Sequence, residues 1–337
     1  MKPSPVRARA WCRVDLAGGT LDIWPLGLLV DGARTVNLAI DLPVEVTLEP
    51  AAEHYTIVQS GDGKKGDLDE LLGSPATALP AMIARHLGLP PVRIEIASGS
   101  PRGGGLGASS ALAVALLAAG DRYLGRPLST ASQLATTARD VEARVMSLPT
   151  GVQDHYPALL GGALEIGYRV GGDTVRQLET DLAALGRSLI VAYSGDSHFS
   201  AGANWGIVRR RLDGDPEVTA RLEGIGSVAT RLSGALESGD LARVGSLMSE
   251  EWAERRGIAP GVSTPRLESL LEGALKEGAW GGKAAGAGGG GSIAVLGPPD
   301  RRSAIAERLA GEGCSILDVS PVAGGLEVSA AEDGGRP

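Results

Sequence analysis

The chain has 337 residues, of which 43% are hydrophobic, and a net charge of −8. This length is enough for two domains of ordinary size, and an acidic chain without a long basic run is not expected to bind nucleic acid. Two distant cysteines, Cys12 and Cys314, indicate neither a disulfide framework nor a zinc site, and no apolar run approaches the roughly 20 residues of a membrane span. Because the first residues also lack an apolar signal region, we expect a cytoplasmic protein without a membrane partner. Nothing in the sequence specifies an oligomeric state.

Alternation and apolar periodicity predict a mixed first half. The expected strands are 6–15, 34–48, 54–59, 92–96 and 159–166, and the expected helices are 79–87, 108–124 and 129–146. Ser129 or Thr130 is the expected cap of the third helix, and 61–66 is expected to be a turn-rich loop. The helix at 108–124 is almost entirely apolar, which predicts burial on most sides.

The second half is mostly helical from 201 to 277 and then returns to alternating strands and helices. A strand is expected at 188–193, and the final elements are expected at 292–296, 304–309, 315–319 and 326–329. We therefore predict one domain over 1–185, a second over 186–332 and a loose tail at 333–337.

A glycine-rich segment, Pro101–Ala111, lies between the strand at 92–96 and the apolar helix. A loop without side chains lets backbone N–H groups surround an anion, and the next helix adds its unpaired N–H groups and its positive dipole end. The segment lacks the Gly-Lys-Ser/Thr ending of a Walker A loop, so it predicts a nucleotide phosphate site of another kind. The expected nucleotide contacts are Gly103, Gly104, Gly105, Leu106, Gly107, Ala108, Ser109 and Ser110.

The segment from Arg13 to Asp22 ends a strand and turns through two glycines. Carboxylates beside such a turn suit a polyhydroxylated ligand, because they accept hydrogen bonds from neighbouring hydroxyls. A surface turn with an Asp cap is an equally good interpretation of this segment alone.

A second polar segment, Pro149–Tyr156, carries Asp154 and His155. Asp154 is a candidate general base toward a substrate hydroxyl, and His155 is a rival with a better suited intrinsic pKa. A lone Asp in a loop is more often a turn residue or a helix cap. Glu142, on the preceding helix, belongs either to a solvated charged face or to a magnesium site with phosphate oxygens.

A second glycine run, Lys283–Ser292, precedes a strong strand. Its backbone could approach a ligand or the first glycine loop without side-chain interference. The alternative is a flexible linker, which the strand that follows disfavours.

Together these motifs resemble the GHMP kinase superfamily, which includes galactokinase, homoserine kinase and mevalonate kinase. Pro101–Ala111 is similar to the family's Pro-x-x-x-Gly-Leu-Gly-Ser-Ser-Ala phosphate loop, Arg13–Asp22 to its N-terminal substrate motif and Lys283–Gly291 to its C-terminal glycine motif. Within the superfamily, Gly-Val-Gln-Asp-His-Tyr at 151–156 and the run at 283–291 resemble the bacterial heptose-phosphate kinase branch.

The resemblance implies an α+β fold of two parts, the first like ribosomal protein S5 domain 2 and the second ferredoxin-like, with the active site between them. It implies that ATP and Mg²⁺ are the cofactors, that Asp154 is the catalytic aspartate and that Arg13 stabilises the reacting groups. It also implies that Ser109 and Glu142 contact the metal. The residues expected around the acceptor are Asp15, Gly18, Gly19, Thr20, Asp22, Gly288 and Gly289.

Several positions depart from the family pattern. Ala108 replaces the first Ser of the family's Ser-Ser pair, which leaves Ser109 as the expected metal hydroxyl. Gly19-Thr20 replaces the Glu-His pair of galactokinase, which argues against galactose. His155 replaces the Gln that follows the aspartate in the heptose-phosphate branch.

The resulting prediction is a kinase that phosphorylates a hydroxyl of a sugar or sugar phosphate, with the anomeric hydroxyl as one candidate. Alternatives are a kinase of mevalonate or homoserine and a non-catalytic ligand-binding member. The polar residues Asp15, Asn37 and Asp22 favour a polyol pocket over an isoprenoid one. A phosphorylated acceptor would need further cations, for which Arg102, Arg144 and Lys283 are candidates.

Overall fold

The protein was analysed as a computed structural model, which describes residues 4–196 and 201–330. Two β-sheets with helices packed on them make up this part of the chain. The first sheet consists of β1 (Val6–Ala17), β2 (Arg34–Pro50), β3 (Tyr55–Gln59), β4 (Asp62–Gly66), β5 (Val92–Ser98), β6 (Ala163–Arg169), β7 (Gly172–Gln177) and, from the end of the chain, β12 (Glu327–Ala330). The second consists of β8 (Leu189–Tyr193), β9 (Gly281–Ala284), β10 (Ser292–Leu296) and β11 (Ser315–Leu317).

The helices of the described residues form two groups along the chain, one before β8 and one after it. Those before β8 are α1 (Leu68–Leu72), α2 (Ala78–Leu87), α3 (Ala108–Tyr123), α4 (Ala131–Met146), α5 (His155–Leu160) and α6 (Leu182–Ser188). Those after it are α7 (Ala201–Leu212), α8 (Pro216–Glu237), α9 (Leu241–Arg256), α10 (Pro265–Lys276) and α11 (Arg302–Gly311). Short 3₁₀ turns cover Leu26–Leu28 and Pro299–Arg301.

Strand order in the first sheet is β12-β1-β2-β5-β3-β4. The N-terminal part of β2, residues 34–38, also pairs with β6, which pairs with β7. Only β3 and β5 run parallel among these pairs of described strands. The second sheet has the order β11-β8-β10-β9 and is antiparallel throughout. Helices connect β8 to β9 and β10 to β11, as in a ferredoxin-like unit. The predicted two-part α+β fold is confirmed.

Helix α3 is the centre of the first layer. It packs on β1 and β2 from one side and on α2, α4 and α5 from others. Nearly all of its side chains are buried, because Ala, Leu and Val occupy every face that meets a neighbour. Thr130 caps α4 as predicted, accepting from the N–H of Gln133 while the Gln133 side chain accepts from the Thr130 N–H.

The structure differs from the predicted elements at 61–66 and at 159–166. Residues 61–66 are not a loop but the strand β4, because Ser60 and Gly61 both take positive φ and close a tight hairpin with β3. Leu159 and Leu160 end α5, and β6 begins only after the left-handed Gly161 and Gly162.

The last strand, β12, pairs with β1, so the segment assigned to a second domain returns to the first sheet. The predicted tail at 333–337 lies outside the described residues. Within the described part, no helix has the length and hydropathy needed to cross a membrane.

Candidate active site

A cleft of about 600 Å³ lies where the glycine-rich loop, the turn after β1 and the segment before α5 meet. At one end its walls come from Gln59, Pro75 and Leu79; at the other they come from Thr20, Asp22, Asn204 and Arg255. Arg13 contacts both Gly105 in the glycine-rich loop and Asp154 before α5, so these residues form the middle of the cleft. The cleft therefore joins all three N-terminal segments that were singled out from the sequence.

All eight residues expected to contact a nucleotide line this cleft. The loop bends through Gly103, Gly105 and Gly107, whose φ angles are +67°, +72° and +77°. Gly107 is the N-cap of α3, so the N–H groups of the first turn have no partner within the helix and face the loop side. A side chain at Gly107 would lie 3.3 Å from Arg13 Cγ and 3.4 Å from Asp154 Cβ, which explains why the loop closes on glycine here.

The second glycine run packs directly against the first. Ser292 donates its N–H to the Gly104 carbonyl at 3.0 Å, and a Cβ on Gly105 would lie 2.7 Å from the Ala285 carbonyl. The predicted approach of the two glycine segments is thus present in the fold. Gly286 and Ala287 reach the cleft.

Gly288 and Gly289, by contrast, are not among the residues that line the cleft. Gly289 donates to the carbonyl of Val262 at 2.7 Å, and a Cβ on Gly288 would lie 2.3 Å from the same oxygen. Their expected contact with an acceptor is replaced by packing against the turn that follows α9.

Arg13 and Asp154 form a tight ion pair in the middle of the cleft. Arg13 Nε donates to Asp154 Oδ1 at 2.8 Å, and Nη2 lies 2.6 Å from the same oxygen. The third nitrogen, Nη1, donates to the Gly105 carbonyl at 2.6 Å. Burial opposes the charge of Arg13, but Asp154 and Asp15 outweigh it and raise the pKa of Arg13. The guanidinium therefore stays charged and fixes the Asp154 carboxylate relative to the glycine-rich loop.

Geometry separates the two candidate bases. Asp154 lines the cleft and keeps a quarter of its side chain exposed, whereas His155 is fully buried and is not part of the wall. His155 Nε2 instead lies 2.9 Å from Glu142 Oε2. Burial lowers the pKa of His155, but the Glu142 carboxylate more than compensates and raises it. Of the two, only Asp154 is placed to meet a substrate hydroxyl.

The hydroxyl beside Glu142 belongs to Ser110 and not to Ser109. Ser110 Oγ lies 3.2 Å from both Glu142 carboxylate oxygens, and both residues line the cleft. Ser109 is exposed and makes no such contact with Glu142. A shift of one residue rotates a side chain by about 100° around a helix, so Ser110 rather than Ser109 faces α4. The oxygen pair suited to a metal is therefore Ser110 with Glu142.

Asp22 is the carboxylate at the other end of the cleft. Its Oδ2 accepts the N–H of Gln153 at 3.2 Å, and its buried Oδ1 has no hydrogen-bond partner among the described residues. Burial, with a smaller contribution from the charge of Asp154, raises the pKa of Asp22 to about 6. Gly151 admits this side chain, since a Cβ there would lie 1.6 Å from Asp22 Oδ2. Asp22 is thus held in the cleft wall, with one buried oxygen that lacks a hydrogen-bond donor among the described residues.

The turn before Asp22 is held by Arg255, a residue that was not singled out from the sequence. Thr20 lines the cleft in a left-handed conformation, φ +79°, and its hydroxyl accepts from Arg255 Nη1 at 3.1 Å. Gly18 and Gly19 lie behind it and are not part of the wall. Gly18 packs on the backbone of Arg34, and Gly19 packs on the guanidinium of Arg255.

Asp15 lies in a buried ion cluster and not at the cleft surface. Its side chain is 0% exposed and accepts from Lys283 Nζ and from the Gly286 N–H, each at 2.8 Å. Lys283 also lies 2.9 Å from Glu251, and Arg255 donates to Glu251 at 2.7 Å. Two carboxylates thus balance two cations, which is what burial of charge requires.

This cluster was not predicted from the sequence. Glu251 and Arg255 are four residues apart on α9, which in isolation indicates an exposed ion pair. Arg255 reaches Thr20 and Asp15, more than 230 residues away in β1 and its turn, and Glu251 reaches Lys283 in β9, so only the fold brings them together. The cluster joins the turn at Thr20 to the second glycine run at Gly286, and so ties the first sheet to the second.

Comparison with known proteins identifies the family. The model described as GHMP kinases N terminal domain matches residues 76–162, and the model described as GHMP kinases C terminal matches residues 229–315. A mevalonate kinase from Methanothermobacter thermautotrophicus is 32% identical over 77% of this chain and 81% of its own length. A D-glycero-alpha-D-manno-heptose 7-phosphate kinase from Campylobacter jejuni is 25% identical over 94% and 96%.

A solved structure of a D-glycero-D-manno-heptose 1-phosphate kinase from Bacteroides thetaiotaomicron has the same fold. It superimposes with a TM-score of 0.76 at 22% identity, covering 97% of this chain and all of the other. The resemblance inferred from the three motifs is confirmed.

Proposed function

The chain belongs to the GHMP kinases, which are ATP-dependent phosphotransferases, and from that premise we propose that it phosphorylates a hydroxyl of a sugar or sugar phosphate. The observation that carries this proposal is the placement of Asp154. Its carboxylate lines the cleft next to the glycine-rich loop, with Oδ1 occupied by Arg13 and Oδ2 unpaired among the described residues.

The glycine-rich loop supports the nucleotide half of the proposal. Backbone N–H groups at the start of α3, with the positive end of that helix, favour phosphate oxygens. Positive φ at three glycines keeps side chains away from this concave surface. The nucleotide phosphates are therefore assigned to 103–110, with Gly286 and Ala287 from the second glycine run beside them.

Ser110 and Glu142 fit a magnesium ion that also binds nucleotide phosphates. Magnesium takes one or two protein carboxylates and completes its shell with phosphate oxygens and water. Both residues supply hard oxygen donors, and His155 contacts the Glu142 carboxylate from the buried side and fixes its orientation. No cluster of three or more potential Asp, Glu, His or Cys ligands occurs among the described residues, so phosphate oxygens would complete the set. Such an ion neutralises charge on the phosphates during transfer.

Asp154 and Arg13 act on the acceptor. Asp154 Oδ2 accepts the hydrogen bond of the reacting hydroxyl and directs its oxygen toward the phosphates at the glycine-rich loop. Arg13 holds the carboxylate in place and brings a positive charge beside the transferring group. Positioning and electrostatic stabilisation thus supply most of the rate enhancement, as expected for phosphoryl transfer.

The choice of a sugar rests on Asp22 and on the full-length similarity to the heptose 7-phosphate kinase. Asp22 lines the cleft and its buried Oδ1 lacks a hydrogen-bond donor among the described residues, a role that a polyol hydroxyl could fill. Asp15 and Asn37, which favoured a polyol in the sequence, do not line the cleft. Asn37 donates instead to Thr35 at 3.1 Å. Mevalonate is the second candidate, because a mevalonate kinase is 32% identical to this chain.

An ATP-consumption screen tests the proposal. The acceptors are free hexoses and heptoses, their phosphates, mevalonate and homoserine, and NMR then locates the phosphorylated position. We expect turnover with a sugar or a sugar phosphate. Turnover with mevalonate or homoserine alone would show that the second candidate is correct, and turnover with none would contradict the kinase assignment.

A further inference from the structure

At the acceptor end of the cleft, the positively charged side chains of the described residues already contact other groups of the protein. Resting on the proposed kinase function, we infer that the acceptor is an uncharged polyol rather than a phosphate ester or a carboxylate. Three positively charged side chains line the cleft within the described residues, namely Arg13, Arg102 and Arg255. What each of them already contacts determines whether an anionic acceptor can be held.

Arg255 is the cation nearest to the turn at Thr20, and its charge is balanced. Its Nε and Nη2 both donate to Glu251 Oε1, at 3.0 and 2.7 Å, and its Nη1 donates to Thr20 Oγ1. The side chain is 1% exposed, so it forms the floor of the cleft beneath Thr20 rather than projecting into it. Binding a substrate anion would mean breaking the contact with Glu251 and leaving that carboxylate buried beside Lys283.

Arg13 is committed in the same way. Its Nε donates to Asp154, its Nη1 donates to the Gly105 carbonyl, and its Nη2 lies 2.6 Å from the same Asp154 oxygen. The charge of Arg13 is therefore matched by Asp154, and the edge formed by Nε and Nη2 is already occupied.

The three cations that a phosphorylated acceptor was expected to need are also absent from this end. Lys283 is fully buried between Asp15 and Glu251. Arg144 is exposed on α4 and does not line the cleft. Arg102 lies in the glycine-rich loop, on the side assigned to the nucleotide phosphates.

Asp22 makes this end of the cleft acidic. Its nearest described partner is the neutral N–H of Gln153, and its Oδ1 is unpaired. Among the described residues at this end, Arg13 is matched by Asp154 and the buried cluster is neutral, so Asp22 carries the unbalanced charge. An unpaired carboxylate accepts hydrogen bonds from sugar hydroxyls but repels a phosphate or carboxylate at close range. Attraction toward a polyol and repulsion of an anion thus come from the same side chain.

The test compares each free sugar with its own phosphate ester. Values of kcat/KM are measured for hexoses and heptoses, for their terminal phosphates and for mevalonate, with the wild-type chain and with Asp22→Asn. Asp140→Asn is the matched control, because it removes an exposed carboxylate on α4 and changes the net charge equally. Nucleotide binding and thermal unfolding confirm that each variant is folded.

We expect the wild type to prefer a free sugar over its phosphate by at least about tenfold in kcat/KM. Asp22→Asn should narrow this ratio severalfold, and Asp140→Asn should not. A wild type that prefers a sugar phosphate or mevalonate overturns the inference and leaves the kinase function intact. A ratio that Asp22→Asn does not change overturns the role given to Asp22. Turnover with no acceptor at all overturns both the proposed function and the inference.

Discussion

Arg13 holds Asp154 through a single carboxylate oxygen. Two guanidinium nitrogens converge on Oδ1, at 2.6 and 2.8 Å, so Oδ2 is the oxygen left for a ligand in the cleft. The remaining nitrogen binds the carbonyl of Gly105. One arginine therefore sets the distance between the Asp154 carboxylate and the glycine-rich loop.

Replacing Asp154 by Asn tests its role as the acceptor's hydrogen-bond partner. Because Asn keeps the size but loses the charge, we expect kcat to fall at least about a hundredfold, the usual scale for a positioned base, while nucleotide affinity is retained. Steady-state kinetics and a nucleotide titration measure the two quantities. An unchanged kcat would remove Asp154 from the mechanism.

Ser110→Ala and Ser109→Ala form a matched pair at the start of α3. Only Ser110 contacts Glu142, so Ser110→Ala should raise the Mg²⁺ concentration for half-maximal rate by roughly tenfold or more. Ser109→Ala should leave that concentration within about twofold. Magnesium titrations of both variants at fixed ATP measure this concentration. A larger increase for Ser109→Ala than for Ser110→Ala would assign the metal contact to Ser109.

Lys283→Met removes one charge from the buried cluster. Asp15 would then lose its nearest cation and Glu251 would keep only Arg255, so we expect a loss of about 3–5 kcal/mol in the free energy of unfolding. Lys276→Met is the control, since its contact with Glu272 is 3.8 Å long and exposed, and should cost at most about 0.5 kcal/mol. Urea unfolding measures both, and equal losses would show that the cluster does not stabilise the fold.

Asp22 makes stability depend on pH in a defined direction. Its pKa is about 6 in the folded protein and 3.8 for an ordinary carboxyl, so the folded state binds more protons between these values. Its contribution to the free energy of unfolding therefore falls as pH rises through this window and stays low above it. The free energy of unfolding of Asp22→Asn, relative to that of the wild type, should therefore be higher at pH 8 than at pH 4.5 when both are measured by urea unfolding. A difference that is the same at both pH values would show that the pKa of Asp22 is not raised.

Gly107→Ala separates catalytic geometry from stability. Gly107 and Gly125 both have positive φ, so alanine at either should cost about 1 kcal/mol of stability. At Gly125 a Cβ meets nothing within 4 Å, whereas at Gly107 it meets Arg13 and Asp154. We expect a loss of activity only for Gly107→Ala, monitored by kcat beside thermal unfolding. Loss of activity in both variants would point to general destabilisation instead.

The sequence predicted the segments of the site better than the contacts within it. The glycine loops, Asp154 and Asp22 could be found because they follow or precede patterned strands and helices, and Arg13 and Glu142 because they interrupt such patterns with a charge. The packing of the two glycine runs against each other could also be predicted, because backbone without side chains can approach other backbone closely.

Contacts between distant segments could not be predicted. Ser109 and Ser110 differ by one residue, and which of them faces Glu142 depends on the rotation of α3 against α4. Asp15 stands between Val14 and Leu16 in sequence, and its buried pairing with Lys283, 268 residues away, follows only from the fold. Arg255 lies on a helix whose charges indicate a solvated face, and it reaches Thr20 only through the packing of α9 on the first sheet.

The most direct test of the central claim is transfer of label from γ-labelled ATP to a panel of sugars and sugar phosphates, run in parallel with the wild type and Asp154→Asn. The structure predicts label in a sugar product with the wild type, and at least about a hundredfold less with Asp154→Asn at equal nucleotide occupancy. Bound ATP without label in any of these acceptors, or equal transfer by the two chains, would contradict it.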